Sequence, residues 1–136
     1  MIKPIVRDIF FLRQKSEAAA RTDLPIARDL EDTLRANRDR CVGMAANMIG
    51  YRKRMIIVSL GLADLVMINP VIVKKAGPYE TEEGCLSLSG TRKTTRYQEI
   101  TVEYQDKQFR KCTQEFSGWI AQIVQHECDH LEGILI

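Results

Sequence analysis

The chain contains 136 residues, of which 45% are hydrophobic and 28% are charged. A chain of this length and composition can bury its own hydrophobic core, so we expect a single domain over residues 1–136. Its 20 basic and 18 acidic side chains leave a net charge of only +2. This near balance gives little support to a nucleic-acid-binding or membrane-binding role.

The first residues, MIKPIVRDIFFLRQ, have neither the uninterrupted apolar stretch nor the small-residue cleavage site of a secretory signal. No apolar run in the sequence approaches the length that spans a membrane. We therefore expect a cytoplasmic protein. The cysteines have no CxxC spacing, so in a reducing compartment each is a free thiol or a metal ligand. They are Cys41, Cys85, Cys112 and Cys128.

An amphipathic helix is predicted from about Leu24 to Arg38. Apolar residues recur there at helical spacing, which indicates one buried face, and Asp23 is a candidate N-cap. The recurring residues are Leu24, Ala27, Leu30 and Leu34. The small, apolar segment CVGMAANMIG follows this helix.

Strands are predicted for the middle of the chain. The segments RMIIVSL and LVMINPVIVKK are rich in Val and Ile, as buried strands are. A turn is expected around Gly77 and Pro78. After it, EITVEYQD alternates between apolar and polar residues as a half-buried strand does, and QFRKCTQEF follows as its hairpin partner.

A second helix is predicted to begin at Gly118 and to end near Gly133, because glycine favours helix termination. Its expected packing positions are Trp119, Ile120, Ile123, Val124 and Leu131. One helix, then mostly antiparallel strands, then a terminal helix indicate the α+β fold class. In this arrangement the strands pack around the C-terminal helix.

The terminal helix carries HECDH, an HExxH motif that contains both histidines of the chain. Residues four apart lie on one helical face, so His126 and His130 can direct their imidazole nitrogens at one ion. Glu127 lies beside them as a candidate general base. Two histidines on a surface helix without a metal are the alternative, but the specificity of HExxH favours a metal site.

A third ligand must lie upstream of the motif, because only six residues follow the second histidine. Cys128 lies on another side of the helix, Cys112 is in a charged hairpin segment, and Cys41 has apolar neighbours. Cys85 follows a glycine that permits a turn, and its thiolate would complete a site with three protein ligands and one open position. A buried structural cysteine in a strand is the alternative for Cys85.

Three segments, in this order, resemble the signature of the peptide deformylases, which reads GxGxAAxQ, EGCLS and QHExDHLxG. They are CVGMAANM at 41–48, EGCLS at 83–87 and QHECDHLEG at 125–133. The second and third matches are complete. The resemblance is therefore far more specific than HExxH alone.

The resemblance implies an enzyme that removes the formyl group from the N-terminal formylmethionine of nascent proteins, near the ribosome. Cys85, His126 and His130 would hold one divalent metal ion per chain, Fe²⁺ or Zn²⁺. Glu127 would act first as general base and then as general acid. The tetrahedral oxyanion would be met by the metal, by the backbone N–H of Leu86 and by the glutamine that ends the first motif.

The resemblance also implies residues that bind the substrate. Gly43 would contact the peptide through its backbone, and Arg92 would lie near the peptide chain. Gln125 and Asp129 would support the metal ligands, Asp129 as the partner of a liganding histidine. The residues that would line the methionine side-chain pocket are Val42, Trp119 and Ile123.

Two positions depart from the first motif: Cys41 replaces its leading glycine, and Met48 replaces its glutamine. A thioether has no N–H, so Met48 cannot donate a hydrogen bond to an oxyanion. Loss of one such donor slows the chemical step by about a hundred- to a thousandfold. The segment LSG after EGCLS and the polar Gln122 also differ from many relatives near the substrate.

Three functions are open on the sequence. The first is an active deformylase, or a weakly active one if Met48 reduces its turnover. The second is a deformylase-like protein that holds metal, and formylated peptides or another ligand, without useful turnover. The third is a structural metal module, which is disfavoured because a closed structural site needs neither Glu127 nor an open coordination position.

Overall fold

The structure is a computed structural model that describes all residues from Met1 to Ile136. Its helices are α1 (Ile9–Leu12), α2 (Leu24–Ala36) and α3 (Gly118–Leu131), with short 3₁₀ helices at Arg21–Asp23 and Ala46–Ile49. Its strands are β1 (Gly43–Ala45), β2 (Met55–Ser59), β3 (Asp64–Cys85), β4 (Leu88–Gln105) and β5 (Lys111–Ser117). None of the helices has the length and apolar character needed to cross a bilayer.

The strands form one antiparallel sheet in the order β1-β2-β3-β4-β5. Each strand pairs with the next one in the chain, because short connections join antiparallel neighbours. The long β3–β4 hairpin ends where Cys85 pairs with Leu88 across a two-residue turn. This sheet, with α3 packed on it, confirms the predicted α+β fold class.

The two longer helices pack on opposite faces of the sheet. Met55 and Ile57 belong to one hydrophobic cluster with α2, whereas Ile56 and Val58 belong to a second cluster with α3. Alternate residues of a strand point to opposite faces. The metal-binding motif on α3 is thereby held against one face of a sheet whose other face is covered by α2.

Three local predictions are wrong. The first is the turn around Gly77, because β3 continues through this region with Ala76 opposite Glu99 and Pro78 opposite Tyr97. Gly77 has a φ of 72°, a left-handed conformation that glycine adopts freely. Pro78 is tolerated because this part of β3 no longer pairs with β2, so its missing N–H removes no ladder bond.

The other two wrong predictions concern helix starts. The Asp23 side chain does not cap α2; it accepts a hydrogen bond from the Ala20 N–H at 2.8 Å. Trp119, expected to pack, lies in the first turn of α3 and is 61% exposed, whereas Ala121 of the same turn is fully buried. By contrast, Gly133 ends the helix as predicted, with a φ of 76°.

Candidate metal centre and its pocket

Three candidate ligand atoms converge at one end of α3. The Cys85 Sγ, at the end of β3, lies 3.4 Å from the His130 Nε2. The Nε2 atoms of His126 and His130 are 3.0 Å apart, and all three ligand atoms lie within 4.8 Å of one another. The helix supplies the two nitrogens on one face, and the β3–β4 hairpin supplies the sulfur.

The chemistry of these donors fits a divalent transition-metal ion. A thiolate and two imidazoles are a ligand set that leaves one coordination position open. The His126 Nδ1 is 2.7 Å from the Glu83 Oε1, so an Nδ1–H donating to this carboxylate leaves the Nε2 lone pair free for a metal. Without a metal, burial opposes the charged form of His126, but hydrogen bonds with Cys85 and Glu83 raise its pKa to about 10. Burial and the charge on His126 lower the pKa of His130 to about 3, so a metal that binds both Nε2 atoms displaces one proton from the pair.

Glu83, rather than Asp129, is the carboxylate that contacts a candidate ligand. Asp129 was expected to be the histidine partner, but its Oδ2 accepts a hydrogen bond from Arg96 at 2.7 Å. Arg96 also donates to both oxygens of Glu83, from Nε at 3.1 and 3.0 Å and from Nη2 at 2.7 Å. Burial alone would raise the pKa of Glu83, but hydrogen bonds from His126 and Arg96 lower it to about 2.

Sequence reasoning missed Glu83 although a signal was present. Glu83 is the first residue of EGCLS and lies two positions before Cys85 on the same strand. Side chains two apart on a strand point to the same face. A carboxylate on the face of a candidate ligand could therefore have been selected as a partner for a histidine.

Two glutamines of α3 hold the helix to the hairpin. The Gln125 amide binds the backbone of Tyr97 on β4, with 2.8 Å to both its N and its O. It contacts no candidate ligand, so the expected role as a support of the metal is replaced by an anchor to the strand. The Gln122 Nε2 donates to the Glu83 Oε2 at 2.9 Å, so Gln122 extends the network around His126.

Glu127 is buried beside the candidate ligands. It is only 5% exposed, and its Oε1 has no hydrogen-bond partner in the protein. Burial raises the pKa of this carboxyl to about 7. A carboxyl group with a free oxygen and a pKa near neutrality can exchange a proton with a reacting group.

Two of the candidate ligands, Cys85 and His126, line a cavity of about 600 Å³ together with Glu127, and His130 is buried beside them. The backbone N–H of Leu86 donates to no backbone acceptor, so it is free to meet a bound group. Arg92 does not line this cavity. Its backbone lies opposite that of Glu83 in the β3–β4 ladder, and its side chain donates to the Ser89 O at 3.4 Å. The expected substrate residues that do line the cavity are Val42, Gly43, Trp119 and Ile123.

Gly43 allows β1 to approach α3 closely. A Cβ added at this position would lie 2.7 Å from the Ile123 Cγ2 and 3.1 Å from the Glu127 Oε2. Real Cβ atoms do not approach other atoms as closely as 2.7 Å. The absence of a side chain therefore makes room for the packing of α3 and for the Glu127 carboxylate.

Both residues that depart from the first motif line the cavity. Met48 is 1% exposed, and its Sδ accepts a hydrogen bond from the Ala45 N–H at 3.5 Å. The Cys41 thiol donates to the Gly43 O at 2.8 Å, and burial raises the pKa of Cys41 to about 12. Neither residue belongs to the cluster of candidate ligands.

The remaining cysteines lie away from this cluster. Cys128 is buried in the hydrophobic cluster of α3, and burial raises its pKa to about 12. Cys112 lies on β5, where its thiol contacts the Arg110 O at 3.6 Å. Cys85 is thus the one cysteine that the fold brings to the two histidines.

A cluster of two helical histidines and a strand-borne thiol, with a buried glutamate beside it at the wall of a cavity, defines a metal-dependent hydrolase. The family model described as polypeptide deformylase matches residues 4–136. The chain therefore belongs to the polypeptide deformylase family, which confirms the resemblance seen in the sequence.

Individual relatives agree with this assignment. The chain is 60% identical over 136 residues to a peptide deformylase of Clostridium beijerinckii, and the match covers 100% of both chains. A Met-Ala-Ser-bound class I type b peptide deformylase from Acinetobacter baumannii superposes with a TM-score of 0.90 at 28% identity, covering 99% of this chain and 97% of that one. The peptide deformylase from Thermus thermophilus gives a TM-score of 0.85 at 35% identity, covering 99% of this chain and 83% of that one.

Proposed function

We propose that the protein hydrolyses the formamide of N-formylmethionyl peptides and acts in the cytoplasm on nascent chains near the ribosome. The observation that carries this proposal is the convergence of Cys85, His126 and His130 beside a cavity that Cys85, His126 and the buried Glu127 line. The relative with Met-Ala-Ser bound supports a peptide that begins with methionine as the ligand of the cavity.

The proposed metal ligands are Cys85, His126 and His130, and the proposed ion is Fe²⁺ or Zn²⁺, one per chain. Both ions accept a mixture of sulfur and nitrogen donors. When bound, such an ion supplies Lewis acidity, which lowers the pKa of water and polarises a carbonyl group. Glu83 holds the His126 ring in the orientation that directs Nε2 towards this position.

Glu127 moves the proton in the proposed reaction. Its carboxylate accepts a proton from the attacking water, whose oxygen adds to the formyl carbon. When the C–N bond breaks, Glu127 returns this proton to the leaving nitrogen, and the products are formate and a peptide with a free amine. Its unpartnered Oε1 and its pKa near 7 suit both steps.

The negative charge that develops on the formyl oxygen needs hydrogen-bond donors. Leu86 supplies one, because its N–H lines the cavity without a backbone acceptor. Met48 supplies none, since its thioether is itself an acceptor from Ala45. The protein therefore stabilises this charge with fewer side-chain donors than the family motif provides.

The methionine side chain of the substrate is proposed to lie against the apolar side of the cavity. Val42 and Trp119 are exposed at its mouth, where a peptide can cover them, and Ile123 is buried further in. Gly43 offers its backbone to the peptide chain. Arg92, outside the cavity lining, is proposed to act on parts of the peptide beyond the methionine.

Formate release from formyl-Met-Ala-Ser tests the proposed activity. The protein, loaded with Fe²⁺ under anaerobic conditions, should release formate, and Glu127→Gln should lower kcat by about a hundred- to ten-thousandfold, the usual contribution of a general acid–base. Glu132→Gln is the matched control, because Glu132 binds Arg54 at the end of α3 and does not line the cavity. Equal rates in the two variants would contradict the role of Glu127.

Elemental analysis tests the proposed ligands. Cys85→Ser and His130→Ala should lose the metal, because two remaining ligands hold a divalent ion weakly. A triple variant in which the other cysteines are replaced by serine should keep it; these are Cys41, Cys112 and Cys128. Full occupancy in Cys85→Ser, or a metal-free triple variant, would show that a different cysteine is the ligand.

A further inference from the structure

Asn47 is a fully buried polar residue on the 3₁₀ helix Ala46–Ile49. Its side-chain Nδ2 donates to the backbone oxygen of His130 at 2.9 Å, across 83 residues of sequence. His130 is the last of the three candidate ligands along the chain and lies one residue before the end of α3 at Leu131. The amide therefore joins the segment of the first motif to the turn of helix that carries a ligand.

The bond from Asn47 is not required to satisfy the His130 carbonyl. The last carbonyl groups of a helix lack partners within it, but the His130 O already accepts a hydrogen bond from the Gly133 N at 3.1 Å. The Asn47 Oδ1, moreover, is buried and has no partner in the protein. A buried acceptor without a partner lowers stability relative to an apolar side chain of the same shape.

Folding stability alone thus gives no reason for an amide at this position. What the amide provides is a fixed distance between the 3₁₀ helix and the His130 backbone. Helix ends open more easily than helix centres, and the last turn of α3 carries the His130 Nε2, which lies 3.0 Å from the His126 Nε2. A tether at the His130 carbonyl restrains the turn in which such opening would move a ligand.

We propose that Asn47 is a positioning residue for His130, which keeps the last turn of α3 in the geometry that binds the metal. This inference rests on the proposed ligands. Met48, the next residue of the same 3₁₀ helix, lines the cavity, so one short element holds a ligand with one side chain and shapes the substrate site with another.

Competition for Co²⁺ between the protein and a chelator tests this role. Asn47→Leu keeps the size of the side chain and removes the amide, so its free energy of unfolding without metal should stay near that of the wild type. Its Co²⁺ affinity should fall by about ten- to a hundredfold, the usual effect of losing a group that orients a metal ligand. The ligand-field absorption of the Co²⁺ form should also broaden, because the position of His130 becomes less defined.

Ile49→Ala is the matched control. Ile49 is buried on the same 3₁₀ helix and packs in the cluster of α2, so its truncation lowers stability through a cavity and leaves the tether intact. It should bind Co²⁺ with the affinity of the wild type. Asn47→Ala, smaller than the leucine variant, should repeat the loss of affinity if leucine disturbs folding.

Two outcomes would overturn the inference. One is wild-type Co²⁺ affinity and absorption in both Asn47 variants. The other is an equal loss of affinity in Ile49→Ala, because the effect would then follow stability alone. Neither outcome would contradict the assignment of the metal ligands. Cys85→Ser in the same assay tests that assignment separately.

Discussion

At the scale of single residues, the side-chain atoms of Met48 and Glu83 decide which hydrogen bonds each position can make. Met48 occupies the last position of the first motif and is buried at the cavity wall, yet its sulfur accepts a hydrogen bond where the family glutamine offers an N–H. Glu83 stands in a complete motif, and its carboxylate sets which nitrogen of His126 faces the metal position.

Met48→Gln should raise kcat for formate release by about a hundredfold or more, equivalent to about 3 kcal/mol, because it restores one oxyanion donor. The gain should appear in kcat rather than KM, since the donor acts mainly after charge has developed. Steady-state kinetics at equal metal content measure it.

Met48→Leu is the control for this prediction, because it keeps an apolar side chain of similar size and adds no donor. It should leave kcat close to the wild-type value. A Met48→Gln variant that binds metal and folds normally but gains nothing would mean that the metal and the Leu86 N–H already meet the developing charge.

At the scale of elements, the site depends on how closely β1 and the hairpin approach α3. The helix carries His126, Glu127 and His130, β3 brings Cys85, and β1 contributes the glycine that lies against Ile123 and Glu127. Helical periodicity places the two histidines on one face. How closely the strands approach the helix decides how far the Glu127 carboxylate is buried.

Gly43→Ala should weaken both stability and activity. The added Cβ overlaps the Ile123 Cγ2, and such overpacking destabilises a protein by about 1–3 kcal/mol. Because the same Cβ lies 3.1 Å from the Glu127 Oε2, kcat should fall as well. Denaturant titration and formate release measure the two effects.

A second substitution checks the cause. Ile123→Ala in the Gly43→Ala background removes the overlapping methyl group, so the double variant should be more stable than the sum of the two single effects predicts. Simple additivity would argue that the damage of Gly43→Ala arises elsewhere.

At the scale of the whole molecule, a buried ion network ties the hairpin to the terminal helix. Arg96 on β4 binds Glu83 on β3 and Asp129 on α3, and the side chains of Arg96 and Glu83 are only 4% and 7% exposed. The network therefore joins the strand that carries Cys85 to the helix that carries both histidines, so the ligand geometry depends on its integrity.

Arg96→Met should lower the free energy of unfolding by about 3–5 kcal/mol, because it leaves the buried Glu83 without its cation. Arg54→Met provides the comparison. Arg54 binds Glu132 at 2.9 Å with both side chains more exposed, and an exposed pair contributes no more than about 1 kcal/mol. Similar losses in the two variants would contradict a special role for the Arg96 network.

Much of the fold could be predicted from the sequence because it depends on local periodicity. The apolar spacing of α2 and the alternation in EITVEYQD each reflect a repeat of the backbone. The glycine after HExxH ends the helix because glycine adopts a positive φ freely. The prediction of a turn around Gly77 was wrong for a reason that lies outside that segment. Whether a glycine ends a strand or only bends it depends on the partner strand, and β4 continues alongside.

The sequence by itself determined which atoms are available for chemistry: two imidazoles and a carboxylate on one helix, a thiol after a glycine, and a thioether where the family has an amide. Their spacing along the chain also determined that the histidines share a face, because 3.6 residues make one helical turn. Only the tertiary structure decided that Glu83, not Asp129, pairs with a histidine and that Asn47 binds the His130 backbone. These contacts join residues 43 and 83 positions apart, and the packing of the sheet against α3, rather than any local repeat, sets which distant segments meet.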